Sequence, residues 1–187
     1  MFLTVGNEIV DGQLAILCEL FDLLDRKISE VQNSIQKSID PESDGLCDRG
    51  EYFIGVGFVA AQQYLVDTLL FTGIEKHKAY KWGPVHSSGI AFASLINSAA
   101  NWWKHEAEWW NKGKVQKNGE STFIHITDVA TTPGYELSNV LASICGAEKF
   151  SLKCLVPYLI EWRTSVVEHW DSIQEIPSET KNENSMY

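Results

Sequence analysis

Between residues 11 and 39, Leu14, Leu17, Phe21, Leu24, Ile28, Val31 and Ile35 recur three or four positions apart. That spacing lays a single apolar stripe along a 3.6-residue helix and is incompatible with a strand, whose faces alternate every second residue. Glu19, Asp22, Asp25, Arg26 and Lys27 fall largely on other faces, so the segment reads as one long amphipathic helix. Asp40-Pro41-Glu42-Ser43-Asp44-Gly45 supplies the turn and breaker residues that end it.

The same period continues along the chain. Tyr52, Val56, Val59, Gln63, Val66 and Leu70 mark a second helix over residues 47–71, where Gly55, Gly57, Ala60 and Ala61 are small enough to admit a neighbouring helix. Residues 72–83 form a connector, and Trp82-Gly83-Pro84 marks the start of a third helix over residues 85–111. Ile90, Phe92, Ala93, Leu95, Ile96, Ala99, Trp102 and Trp103 make that helix apolar over most of its circumference, the pattern of a largely buried element. Residues 112–135, punctuated by Lys112-Gly113-Lys114, Asn118-Gly119 and Thr132-Pro133-Gly134, read as a long loop or a small hairpin insertion, with a short strand over 122–126. A short helix over 136–145 ends at Gly146. Leu152, Leu155, Leu159, Trp162, Val166 and Trp170 then define a last helix with Pro157 near its first turns. The expected fold is all-α: an antiparallel bundle of four to five helices in one domain over residues 1–173, with a flexible tail over 174–187.

Composition narrows the function. With 44% hydrophobic and 11% aromatic residues the chain has ample material for a packed core, which excludes wholesale disorder. Its 25 acidic and 15 basic residues give a net charge of -10, which argues against a broad, sequence-blind grip on a nucleic-acid backbone. Met1-Phe2-Leu3-Thr4 opens no basic-then-apolar leader, and no apolar run approaches the ~20 residues that span a bilayer. Cys18, Cys47, Cys145 and Cys154 lack metal-binding spacing and read as reduced core thiols. A cytoplasmic location, no membrane contact, no cofactor and no metal are the expectations.

The chemistry concentrates in the third helix. Four of the seven tryptophans (Trp102, Trp103, Trp109, Trp110) lie within nine positions, and Asn97, Asn101 and His105 run between them at intervals of four. Residues four apart on a helix stack on one face, so two amides and an imidazole form a polar line beside large rings. The clusters Lys76-His77-Lys78 and Lys112-Gly113-Lys114-Val115-Gln116-Lys117 adjoin the ends of this helix, as solvated loops or where they could contact phosphate.

The run Asn101-Trp102-Trp103-Lys104-His105 resembles the Asn-x-x-x-His half of the Arg-Asn-x-x-x-His signature of the HEPN superfamily, small helical bundles that include many ribonucleases of toxin–antitoxin and antiphage systems. The resemblance covers about five residues and the general helical layout. It implies a metal-independent endoribonuclease that works as a dimer, with Asn101 and His105 at the cleft. Ala100 stands where the signature carries the arginine that would hold the scissile phosphate. Arg163 and His169 form a second partial match, separated by five residues and with Thr164 in the polar position. They differ by about 120° around a regular helix and so do not share a face. The resemblance thus nominates His105, Asn101, Arg163 and His169 for catalysis, while Asn97, Trp102, Lys104, Trp109 and Trp110 are candidate binding residues.

Each feature also has a structural reading. His105 can be a hydrogen-bonded, half-buried histidine, Asn97 and Asn101 can satisfy an interhelical network, and the tryptophans can be core or interface anchors or a base-stacking platform. Arg163 and His169 can decorate a solvated face. The chain has no Gly-rich phosphate loop, no Gly-x-Ser-x-Gly and no His-Glu-x-x-His, since Trp109 stands where the second histidine of His105-Glu106 is required. Three readings follow: a HEPN-like ribonuclease, for which RNA is the partner; a degenerate bundle that binds a partner protein or a nucleotide without chemistry, as an accessory subunit of a defence complex; and an oligomerisation module. A homo-oligomer or a protein partner is expected in each.

Overall fold

The computed structural model describes residues 2–5, 8–70, 72–111, 114–115, 117, 119–129, 134–146 and 150–174, with backbone alone at 2–5, 8–9, 110–111, 114–115 and 174. The chain opens with a hairpin in which β1 (Phe2–Val5) pairs antiparallel with β2 (Glu8–Asp11). The helices follow in order: α1 (Gly12–Ile35), α2 (Leu46–Leu69), the single turn α3 (Lys76–Ala79) and α4 (Phe92–Trp109). A two-residue ladder joins β3 (Trp110–Asn111) to β4 (Lys114–Val115). Then come α5 (Glu120–Thr127), α6 (Glu136–Cys145), a 3-10 turn (Leu152–Cys154) and α7 (Leu155–Gln174). The architecture is an all-α bundle of four long helices, as the periodicity requires. No described helix is long and apolar enough to cross a membrane.

α1 and α2 run antiparallel, as do α2 and α4. Asp11 at the start of α1 meets Tyr64 late in α2, while Val31 near the end of α1 meets Gly50 early in α2. Gln62 of α2 meets Asn97 of α4, and Gly55 meets Trp103. The stripe expected in α1 is the buried one: Leu17, Phe21, Leu24, Ile28 and Val31 face the core, and the helix ends at Ile35, which leaves Ile39 fully exposed. In α2 the expected stripe is a correction. Tyr52, Gln63 and Leu70 are exposed, whereas Ile54, Phe58, Ala61, Gln62, Leu65 and Leu69 are buried. Close approach chose the face: a Cβ on Gly55 would overlap the Trp103 indole, and one on Gly57 would overlap Leu152. Large side chains from α4 and from the 3-10 turn fill the space that the glycines vacate.

Two boundaries differ from the periodic reading. The third helix begins at Phe92, because residues 85–91 close a small loop instead: Val85 bridges Ala91, and the His86 N–H donates to Ile90 O at 2.8 Å. Residues 122–126 lie in α5, not in a strand. Phe123 packs against Trp102, and Ile126, one helical turn on, is fully buried. A three-residue spacing is helical, and it outweighs the β-propensity of the isolated Thr122-Phe123-Ile124 run. The hairpin expected somewhere in 112–135 is the short β3–β4 ladder at the start of that stretch.

Carboxylates fix the helix starts. Asp11 Oδ1 accepts the Leu14 N–H at 2.9 Å and caps α1. Glu51 reaches from α2 to α6, where its carboxylate accepts from Leu137 N at 2.6 Å, Ser138 N at 3.0 Å and Ser138 Oγ at 2.5 Å. Asp25 reaches from α1 to the 3-10 turn and accepts from Ser151 Oγ at 2.6 Å and Leu152 N at 2.7 Å. Free N–H groups at a helix start are unsatisfied donors on a positive dipole end, so an acid borrowed from a neighbour fills both needs. Part of the acidic surplus is therefore structural.

Candidate functional site

The polar line of α4 divides into two environments. Seven residues past Asn97, Lys104 has rotated only about 20° around the helix, whereas His105 is about 80° away. The seam between α2 and α4 consequently gathers Asn97, Asn101 and Lys104, and His105 leaves it. Gln62, 8% exposed, crosses from α2 into the seam. Its Nε2 donates to Asn97 Oδ1 and to Asn101 Oδ1, each at 2.8 Å, and its Oε1 accepts from Lys104 Nζ at 2.7 Å.

These contacts orient one another. An ammonium only donates, so the oxygen of Gln62 must face Lys104. Its amide nitrogen then faces the asparagines, which turn their oxygens toward it and their Nδ2 groups away. Asn97 and Asn101 are half-buried, and among the described residues their Nδ2 groups donate no hydrogen bond. Lys104 is exposed, and its charged form is disfavoured by partial burial and by the charge of Lys76. Lys76 lies over the Tyr80 ring at 5.8 Å. Glu75 engages the other two side chains of that cluster, His77 at 3.3 Å and Lys78 at 3.1 Å, and its carboxyl is held below the usual range by Lys78. Among the described residues neither Lys76 nor Lys104 has an ion-pair partner. The seam presents two amide donors beside two ammonium groups, an array suited to an anion.

His105 sits apart from that array. Its side chain is 41% exposed, Nδ1 lies 3.1 Å from Glu108 Oε2, and the ring stacks on Trp109 with centroids 5.2 Å apart. Trp109 is half-buried and closes over Gly119, whose Cβ would come within 2.7 Å of its ring. Trp102 is a correction: at 2% exposure, packed against Trp109 and Phe123, it is a core anchor that no ligand reaches. The side chain of Trp110 and all of Lys112 lie outside the described residues.

Arg163 and His169 are not brought together. The Arg163 side chain is 9% exposed, and its Nη1 donates to Asp11 Oδ2 at 2.7 Å. Tyr64 Oη donates to the same oxygen at 2.6 Å. Burial alone would raise the Asp11 carboxyl, but hydrogen bonds from Tyr64, Arg163 and Leu14 hold it below its usual value. Burial, then the bond to that anion, pushes the Tyr64 phenol well above the ordinary tyrosine range. The network ties α1, α2 and α7 together, so Arg163 is a structural cation, and its nomination as catalytic is corrected accordingly. His169, exposed on another side of α7, stacks on Trp82 at 3.9 Å and contacts Ser165 O at 2.8 Å.

The chain has two other arginines, Arg26, exposed on α1, and Arg49, over the Phe53 ring at 5.8 Å. Among the described residues no guanidinium hydrogen-bonds to Asn101 or His105. Ala100 is fully buried, so its side chain points into the core and not toward the seam. Among those residues no group of three His, Cys, Asp or Glu side chains is placed to hold a metal.

Two participants escaped the sequence reading. Gln62 is the hub of the seam, and its signal was a polar residue inside the stripe Phe58, Ala61, Leu65, Leu69. His125, which contacts the buried Ser98 Oγ at 2.9 Å, was read into a strand. No family model, curated protein or solved structure matches the chain.

Proposed function

We propose that this protein is a catalytically inactive HEPN-like bundle, an accessory component of toxin–antitoxin or antiphage type that holds a phosphate of single-stranded RNA in the α2–α4 seam without cutting it. The observation that carries the reading is the fate of the cations. Arg163, the one arginine of the partial signatures, is sealed onto Asp11, and the seam beside Asn101 holds lysine instead. Ammonium groups hold a phosphate as point charges, but they lack the planar fork that a guanidinium offers to a scissile phosphate. His105, the nominated proton carrier, is turned to Glu108 and Trp109 and out of the donor array.

The net charge of -10 agrees with a grip confined to this patch. Lys104 and Lys76, neutralising the held phosphate and its neighbour along the strand, give a salt dependence with a log–log slope of about -1.4. Fluorescence anisotropy with a labelled single-stranded RNA, titrated over a range of salt, tests this. Lys76→Glu and Lys104→Glu should each weaken binding by about tenfold or more, while Arg26→Glu on α1 leaves it unchanged. Equal binding by all four proteins would overturn the assignment of the seam.

A further inference from the structure

The described residues hold four cysteines outside any disulfide, all half-buried, and two of them are neighbours in space. Cys145 is the last residue of α6, and Cys154 closes the 3-10 turn that leads into α7. Ser151 O accepts both the Cys145 S–H at 3.3 Å and the Cys154 N–H at 3.1 Å, and the Cys145 thiol faces that of Cys154. Both ends of this contact are held. Cys145 is on a regular helix ended by Gly146 at φ +77°. Asp25 of α1 holds the other end through Ser151 Oγ and the N–H groups of Leu152 and Lys153. Cys18 faces Asp11, Asp22 and Lys153, and Cys47 faces Tyr135, so neither competes for the pair.

We propose that Cys145 and Cys154 form a redox-active dithiol, which a small disulfide such as oxidised glutathione converts to an intramolecular bond joining the end of α6 to the turn before α7. The two residues are already neighbours on Ser151 O, and a disulfide needs their sulfurs to close to ~2.05 Å. Cys145 is held as a thiol, because burial and then the contact with Cys154 push its ionisation above the usual range. Cys154 therefore attacks first. Its thiolate bonds to one glutathione sulfur, the glutathione S–S bond breaks, and one glutathione thiolate leaves. Cys145 gives up its proton, bonds to the Cys154 sulfur and expels the second glutathione. Two protein thiols become one disulfide, one glutathione disulfide becomes two thiols, and the two protons end on them.

The test uses the full chain incubated with oxidised glutathione under anaerobic conditions, followed by intact-mass measurement and peptide mapping. The expected product has lost two hydrogens, links Cys145 to Cys154, and unfolds at a temperature higher by roughly 5 °C, since the link closes a short loop. Cys18→Ser with Cys47→Ser should react identically. Cys145→Ser should stop at a glutathione adduct on Cys154, and Cys154→Ser should form no internal bond. An unchanged mass, a bond involving Cys18 or Cys47, or an adduct that persists on the unsubstituted chain would overturn the proposal. None of these outcomes depends on RNA binding.

Discussion

Lys104 Nζ lies 2.7 Å from Gln62 Oε1, and this contact sets the direction of every amide in the α2–α4 seam. The ammonium claims the oxygen of Gln62, Gln62 claims the oxygens of Asn97 and Asn101, and both asparagines are left presenting N–H groups. A single buried side chain thus gives a stretch of an acidic protein a donor-only face.

Gln62→Leu should undo this arrangement at a measurable cost. It removes the partner of two half-buried carbonyl oxygens and of one ammonium, while keeping most of the buried volume. Each polar group left unsatisfied costs about 1–3 kcal/mol when fully buried. With Asn97 and Asn101 only half-buried and Lys104 exposed, the expected loss is about 2 kcal/mol by urea unfolding, with RNA binding lowered in the same protein.

The Asp11–Arg163 pair predicts a larger loss. Asp11→Asn leaves a buried guanidinium without a counter-charge, which costs about 3–5 kcal/mol. The pH dependence has a definite sign. The folded carboxyl ionises below the ordinary 3.8 of a free one, so its contribution is complete above that pH and disappears as pH falls through the lower folded value. Unfolding midpoints of the two proteins should differ widely at neutral pH and converge as the pH is taken well below 3.8. A gap that stays constant across this range would refute the role given to Asp11.

Two glycines of α2 should respond to alanine in opposite directions. At Gly50 a Cβ would meet Val31 Cγ1 at an ordinary 3.6 Å, so Gly50→Ala should gain about 0.5–1 kcal/mol from helix propensity. At Gly55 the same atom would overlap the Trp103 indole. Gly55→Ala should therefore lose about 1–2 kcal/mol, because the overpacking cost exceeds the propensity gain. Thermal unfolding of the two variants side by side checks the signs.

The stripe of α1, the bounds of α6 and the course of α7 were legible because spacing alone determines them. Leu17, Phe21, Leu24 and Ile28 point one way in any helix. The buried face of α2 was less so. Tyr52, Val56 and Val59 are as hydrophobic as Ile54, Phe58 and Leu65, and the choice fell to glycines that fit Trp103 and Leu152, partners 48 and 95 positions away. The seam followed from the same miss. Asn97, Asn101 and His105 were visible as a line on α4, but the replacement of His105 by Lys104 in the seam depends on Gln62, which reaches it only when α2 turns that face inward. Arg163 illustrates the limit most plainly: pairing with Asp11 spans 152 positions, and nothing local distinguishes it from a solvated arginine.

The central claim, an RNA phosphate held in the seam but not cleaved, is tested most directly by recovering end-labelled single-stranded RNA from its complex with the protein in EDTA and resolving it on a denaturing gel. The account predicts full-length RNA after prolonged incubation, retained by the unsubstituted protein and by His105→Ala but released by Lys104→Glu. RNA fragments that appear with the unsubstituted protein and vanish with His105→Ala would contradict it, because they would place a working nuclease where only a holding site is expected.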